Sequence, residues 1–384
     1  MKIGINAYNF KFPSGGLGQY LIHLANTLIE IDPQNEYVLL SPDSNVPEGF
    51  HHPLLHSAHA VPAWAEQNEK IKHFIWEQWC SPVAAQQAKA DIFHHPFLSM
   101  PLFPRVPTIL TLPDAMYYLL PEYRSLSKVS RRPRMQAICK KAAMVITLSN
   151  HAKQEIMDVT DLPPERVRVT YLAAGDNCHP ILDPCLRAEA RARYGLGERY
   201  IFYIGNLDKR KNVPQLVRAF AQLYHRLGDP NLQLFIACDT DKQNGPLYPD
   251  PRLVAAELGI TDRVICRFVE ERDKAAIFSG AEVFVYPSRH EGFGLPPLEA
   301  MKCGAPVICS NRTSLPEVVG DAALTLDPDD TQALVDAMHG VLTNQTLQAD
   351  LRERSLKRAE LFSWHKTAVE TIAAYEEVFV RSRR

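Results

Sequence analysis

Short apolar runs recur along the chain, each followed by residues whose apolar positions repeat with the period of a helix. In the first half the runs fall at residues 2–6, 37–40, 90–94, 108–112, 144–148 and 167–172. In the second half they fall at 200–204, 233–237, 264–268, 283–286, 306–308 and 323–326. Between them, Leu17, Leu21, Leu24, Ala25, Leu28 and Ile31 share one helical face, as do Val213, Leu216, Val217, Phe220, Leu223 and Tyr224. Trp364, Ala368, Ile372, Tyr375 and Phe379 repeat that spacing near the end. Strand and helix alternating over this length predict an α/β chain with parallel sheets.

Two such series in 384 residues, more than one core usually supports, predict two consecutive Rossmann-like domains. The linker is expected at Ala173-Ala174-Gly175-Asp176-Asn177-Cys178-His179-Pro180, where glycine, proline and polar residues cluster. Composition is that of an ordinary globular protein, and a net charge of -2 gives no reason to expect nucleic acid as a partner. The eight cysteines are scattered without a C-x-x-C, so neither a zinc site nor a disulfide framework is signalled, and a reducing cytosol fits them. No apolar run is long enough to span a bilayer, and the first residues lack the apolar core of a signal peptide. The expectation is a cytoplasmic protein, soluble or attached peripherally to a membrane face.

Chemistry gathers in three loops. The first, Arg289-His290-Glu291-Gly292-Phe293-Gly294-Leu295-Pro296-Pro297-Leu298-Glu299, follows a strand and precedes a helix that the two prolines can open. Glu291 then stands outside the carboxyl end of a parallel strand, where open α/β sheets bind ligands. Gly292 and Gly294 admit close approach of a ligand, and the helix start offers amide hydrogens suited to phosphate. Glu299, expected in the first helical turn, has two readings: a grip on a ribose diol, or a favourable charge on the helix dipole worth about 0.3 to 1 kcal/mol. The second loop, Gly205-Asn206-Leu207-Asp208-Lys209-Arg210-Lys211-Asn212, puts two cations just before a helix with Asn212 as its expected cap. Cations there oppose the dipole, and a diphosphate would relieve them; the alternative is a solvated basic turn.

The third loop, Ser14-Gly15-Gly16-Leu17-Gly18, only superficially resembles a dinucleotide fingerprint, because Leu21 stands at its third glycine position. Asp114, after a strand, could contact a sugar hydroxyl or equally cap its own turn. His94-His95 reads as structural, having no third ligand at metal spacing. Residues 123–141 carry seven basic side chains and no acid, either a solvated face or a patch for an anionic acceptor or membrane.

These residues together resemble the family 4 retaining glycosyltransferases. The likeness rests on Arg210-Lys211-Asn212, on Pro287-Ser288 leading into Glu291-Gly292-Phe293-Gly294-Leu295-Pro296, on Leu298-Glu299-Ala300-Met301 with Gly304-Ala305-Pro306, and on Leu315-Pro316-Glu317-Val318 with Phe362-Ser363-Trp364. The paired glutamates match the family's E-x7-E element. The resemblance implies the GT-B architecture, two Rossmann-like domains facing each other across a cleft. Their expected extents are 1–178, completed by a C-terminal helix at 365–384, and 179–364. It also implies that Arg210 and Lys211 neutralise the donor diphosphate, and that Glu299 binds ribose. Glu291 with the Gly292, Phe293, Gly294 and Leu295 backbone would hold the transferred sugar. The backbone near Val269 would meet the base, and Gly16 would close over the donor; in the mechanism expected here, Asp114 orients the acceptor. Where the family commonly has His-Asp this chain has Pro113-Asp114, and Asn206 stands where some members have arginine.

The expected reaction is metal-independent and cofactor-free retaining transfer of a hexose from a nucleotide sugar to a saccharide or lipid-linked saccharide. UDP-glucose is the first donor and GDP-mannose the second. A nucleotide-sugar 2-epimerase of the same architecture and a non-catalytic nucleotide-sugar binding protein are the competing classes.

Overall fold

The computed structural model describes residues 1–8, 16–42, 55–58, 61–96, 98–124, 131–239 and 245–383. The chain forms two compact units, Met1–Leu172 with Ser363–Arg384, and Ala173–Phe362.

In the first unit, strands β1 (Lys2–Asn6), β2 (Glu36–Ser41), β3 (Leu55–Ala58), β4 (Ile92–His95), β5 (Thr108–Thr111), β6 (Met144–Thr147) and β7 (Val167–Val169) pair in the order β3-β2-β1-β4-β5-β6-β7. Every pairing is parallel. The edge strand β3 was not expected from the sequence: Leu55-His56-Ser57-Ala58 has no apolar run to mark it. The helix Trp364–Ser382 completes this unit. Trp364 stacks on His23 with ring centroids 4.9 Å apart, and Tyr375 bonds the buried His94 at 2.7 Å.

The second unit holds β8 (Arg199–Ile204), β9 (Leu232–Ala237), β10 (Val264–Arg267), β11 (Val283–Tyr286), β12 (Val307–Ser310) and β13 (Leu324–Leu326), ordered β10-β9-β8-β11-β12-β13 and all parallel. Central strands covered on both faces must be apolar throughout. Accordingly Phe202 of β8 meets Phe235, Phe278 and Phe284 at centroid distances of 5.4, 5.1 and 5.8 Å. From β8 the chain winds outwards to β10, then returns to the other side of β8 at β11. Ligands of open α/β sheets bind at such a reversal, and the loops after β8 and β11 are the two singled out above.

The units divide at 172/173 and 362/363, not at 178/179 and 364/365 as expected. The reason is local bonding. Lys302 Nζ donates to the Ala174 and Gly175 carbonyls at 3.2 and 3.0 Å, and Asn177 Nδ2 to Glu271 at 2.8 Å, so the start of the linker belongs to the second unit. Ser363 caps the last helix by accepting from the Lys366 amide at 3.2 Å, which carries it into the first unit. Among the described residues no helix is long and apolar enough to cross a membrane. Of the basic run, residues 125–130 lie outside the described chain; Arg134 stands 3.8 Å from the buried Glu77, and Lys140 and Lys141 are exposed.

Candidate active site

After β8 the backbone turns at Gly205 and enters a short 3-10 turn, Lys209–Lys211. Asp208 caps it, its carboxylate accepting from the Arg210 amide at 3.1 Å. Asn212 holds the cap position of the next helix, Val213–Leu227, but it does not act as the side-chain cap expected. Its backbone is left-handed at φ +59°, and its amide donates instead to the Pro328 carbonyl at 2.7 Å. That bond is worth making because Asn212 is buried and tolerates this conformation better than most residues.

The loop after β11 is tied to this turn directly. The Arg289 amide donates to the Arg210 carbonyl at 2.7 Å, and Arg210 Nη1 donates to the His290 carbonyl at 2.7 Å. The two loops therefore deliver Arg210, Lys211 and Glu291 to one buried point. Lys211 Nζ lies 2.6 Å from Glu291 Oε1 and 2.6 Å from the Tyr286 hydroxyl, while Arg210 Nη1 lies 3.3 Å from Glu291 Oε2. Asp208 is a weaker fourth member, 3.8 Å from Arg210 Nε. Burial pulls the Lys211 ammonium down to about 8, with Glu291 opposing and Arg210 adding to the pull. Burial by itself would raise the Glu291 carboxyl, but Lys211 and Arg210 outweigh it and hold it at about 2. Glu291 is thus a fixed anion near neutral pH. No sequence spacing signals this pairing of residues 80 positions apart, nor the part of Tyr286.

The helix after the glycines is Leu295–Lys302, so Glu299 is its fifth residue and lies beyond the first turn expected. The dipole reading of Glu299 weakens accordingly, since that effect fades within one turn. The expected supply of amides from the helix start is also smaller, because Pro296 and Pro297 carry none. Donors to a bound phosphate would have to come from Gly292 to Leu295. Gly294 is required there: its φ is +116°, and a Cβ would stand 2.7 Å from Leu315 Cδ2. Phe293 is buried edge-on against Phe362, centroids 5.9 Å apart.

Glu299 is half-buried and has other electrostatic neighbours. Burial pushes its carboxyl up to about 7, Lys274 opposing and Glu271 adding. Lys274, which the sequence did not single out, is held 2.5 Å from Glu271. If donor ribose needs the Glu299 anion, donor affinity should rise about tenfold from pH 6 to pH 8, then fall above pH 8 as Lys211 loses its proton. Calorimetry across that range checks this: Glu299→Gln should flatten the acid limb only, and an unchanged acid limb in that variant would remove Glu299 from ribose binding.

Val269 is buried in the loop that follows β10. The remaining candidates belong to the first unit. Gly16 opens the helix Gly16–Ile31, with Ser14 and Gly15 outside the described residues. Asp114 caps its own turn, accepting from the Met116 amide at 3.0 Å. His94 and His95 are structural: His94 bonds Tyr375 and Thr111, His95 bonds Asn6 at 3.1 Å, and burial pushes both down to about 3.

Two family models match the chain, "Glycosyl transferases group 1" over residues 187–358 and "Glycosyltransferase Family 4" over residues 14–173. An O-antigen chain mannosyltransferase B of Escherichia coli is 30% identical over 397 residues, covering 98% of this chain and all of that protein. A serotype-specific mannosyltransferase of the same species is 30% identical over 245 residues, 63% of this chain and 30% of its own length. Among solved structures, a sucrose-phosphate synthase from Thermosynechococcus elongatus superposes with a TM-score of 0.77 at 22% identity, covering 99% of this chain and 100% of that one. An Anabaena protein crystallised with UDP and glucose superposes with a TM-score of 0.76 at 16% identity, covering 98% and 100%.

Proposed function

The chain belongs to glycosyltransferase family 4, with the GT-B fold, and we propose that it transfers mannose from GDP-mannose to a saccharide or lipid-linked saccharide with retention of configuration. It is a glycosyltransferase of polysaccharide synthesis. The observation that carries the donor site is the buried meeting of Arg210, Lys211 and Glu291 at the reversal of the sheet. Of the two donors expected from the sequence, mannose is favoured over glucose by the likeness over the full chain to a mannosyltransferase. The UDP-glucose reading has only fold-level likeness behind it.

Loss of a nucleoside diphosphate concentrates negative charge on the leaving group, and stabilising it is the main electrostatic task. Arg210 supplies a planar fork and Lys211 a point charge for it. Lys211, held near 8 by burial, would be driven to full protonation by an arriving phosphate. Glu291, clamped between two cations, is a poor nucleophile and cannot serve as an acid. Both properties support a same-face route over a covalent glycosyl-enzyme. In that route the bond from the anomeric carbon to the β-phosphate oxygen breaks, the acceptor oxygen bonds the same face, and its proton passes to the departing phosphate. Glu291 then accepts from sugar hydroxyls, and Asp114 is proposed to orient the acceptor.

An equimolar mixture of GDP-mannose and UDP-glucose, offered with mannose-terminated oligosaccharides, tests the donor. GDP release well ahead of UDP release supports the reading; preferential UDP release would return glucose to first place.

A further inference from the structure

Behind the glutamate loop lie Thr313, Ser314 and Leu315, which give up local stability to hold it. Thr313 has a left-handed backbone, φ +55°. For a β-branched residue that is a genuine outlier, and such strain persists only where its surroundings enforce it. Its hydroxyl oxygen accepts from the Glu291 amide at 3.1 Å. The next residue, Ser314, occupies the N-cap position of the helix Leu315–Val319, where a serine ordinarily bonds a helical amide. It makes no such bond. Its fully buried hydroxyl is turned the other way, 2.9 Å from the Glu291 carbonyl and 2.7 Å from the Phe293 carbonyl. A strained residue and a forgone cap thus converge on the three residues from Glu291 to Phe293. Leu315, following directly, places its Cδ2 2.7 Å from where a Cβ at position 294 would stand.

We infer that Thr313 and Ser314 are positioning residues, which set the backbone of the glutamate loop for transfer of the sugar. The inference rests on the donor-site reading above. Arg210 and Lys211 pair with Glu291 but keep bonds outside positions 291–293, to Asp208, the His290 carbonyl and the Tyr286 hydroxyl, so binding of free GDP should suffer less than transfer. Relief of the strain at position 313 should offset much of the stability lost with the hydroxyl and with the added chain entropy of glycine.

The test compares Thr313→Gly, Thr313→Ser and Ser314→Ala in melting temperature, GDP affinity and kcat/KM for transfer. Glycine adopts φ +55° without steric cost but has no hydroxyl; serine keeps the oxygen without the β-branch. Thr313→Gly is expected to melt within a few degrees of the parent, to bind GDP within twofold of the parent, and to lose about tenfold in kcat/KM, the scale of one buried hydrogen bond. Thr313→Ser should stay within threefold of the parent in kcat/KM, and Ser314→Ala should lose kcat/KM while keeping GDP affinity. Transfer by Thr313→Gly within twofold of the parent would overturn the inference, as would a parallel fall in melting temperature, GDP affinity and kcat/KM. A parent protein that transfers no sugar would instead sink the underlying donor-site reading.

Discussion

Lys211→Ala should lower kcat/KM by about 10²–10³-fold, the scale seen when one preorganised electrostatic partner is withdrawn from a transition state. The same change should destabilise the fold, because Glu291 remains buried with one cation of its two, Arg210 at 3.3 Å. Orphaning a buried charge completely costs about 3–5 kcal/mol, and with Arg210 still present the loss should lie near or below the lower figure. The double variant Lys211→Ala/Glu291→Gln separates the two effects. Removing the stranded carboxylate should recover most of the stability in urea denaturation and none of the activity. If Lys211→Ala transferred sugar within fivefold of the parent, the lysine would be a structural counter-ion and the diphosphate would have to be bound elsewhere.

Glu291→Gln should act in opposite directions on binding and on turnover. The carboxylate sits 2.6 Å from the Lys211 ammonium, so any phosphate that reaches the lysine must approach a like charge. At about 6 Å and an effective dielectric constant near 20 that repulsion is roughly 3 kcal/mol, and screening leaves about a tenfold effect. GDP should therefore bind about tenfold more tightly to the variant at pH 6.5, the arriving phosphate replacing Glu291 as the anion that holds the Lys211 proton. Transfer should nevertheless fall by about 10²-fold, since the anion proposed to accept from the sugar hydroxyls is lost. Weaker GDP binding together with unimpaired transfer would contradict both halves of the assignment.

Much of this architecture is written in the periodicity. Twelve of the thirteen described strands coincide with apolar runs, and the central ones are buried on both faces, which leaves no room for polar alternation. The exception, β3, is a short edge strand whose His56 and Ser57 give no such signal. The two loops of the candidate site were also legible, glycine and charge at strand ends being local features. What could not be read was tertiary. The salt link from Lys211 to Glu291 spans 80 residues, and it turns a sequence picture of two free cations into a preassembled cluster. Asn212 suits a helix cap by type, yet the carbonyl of Pro328, more than a hundred positions away, takes its side chain. Glu299 moved out of the first turn because the helix starts at Leu295, one residue ahead of the prolines. Thr313 and Ser314 carry no motif of their own; only a dihedral angle and two distances reveal them.

The central claim, that this cluster serves sugar transfer from a nucleoside diphosphate, is tested most directly by mass spectrometry of both products from GDP-mannose and a mannose-terminated acceptor. The account predicts GDP and an acceptor longer by one hexose, appearing in equal amounts and with an α linkage matching the donor. A sugar nucleotide of unchanged mass but altered configuration, formed without GDP release, would contradict it.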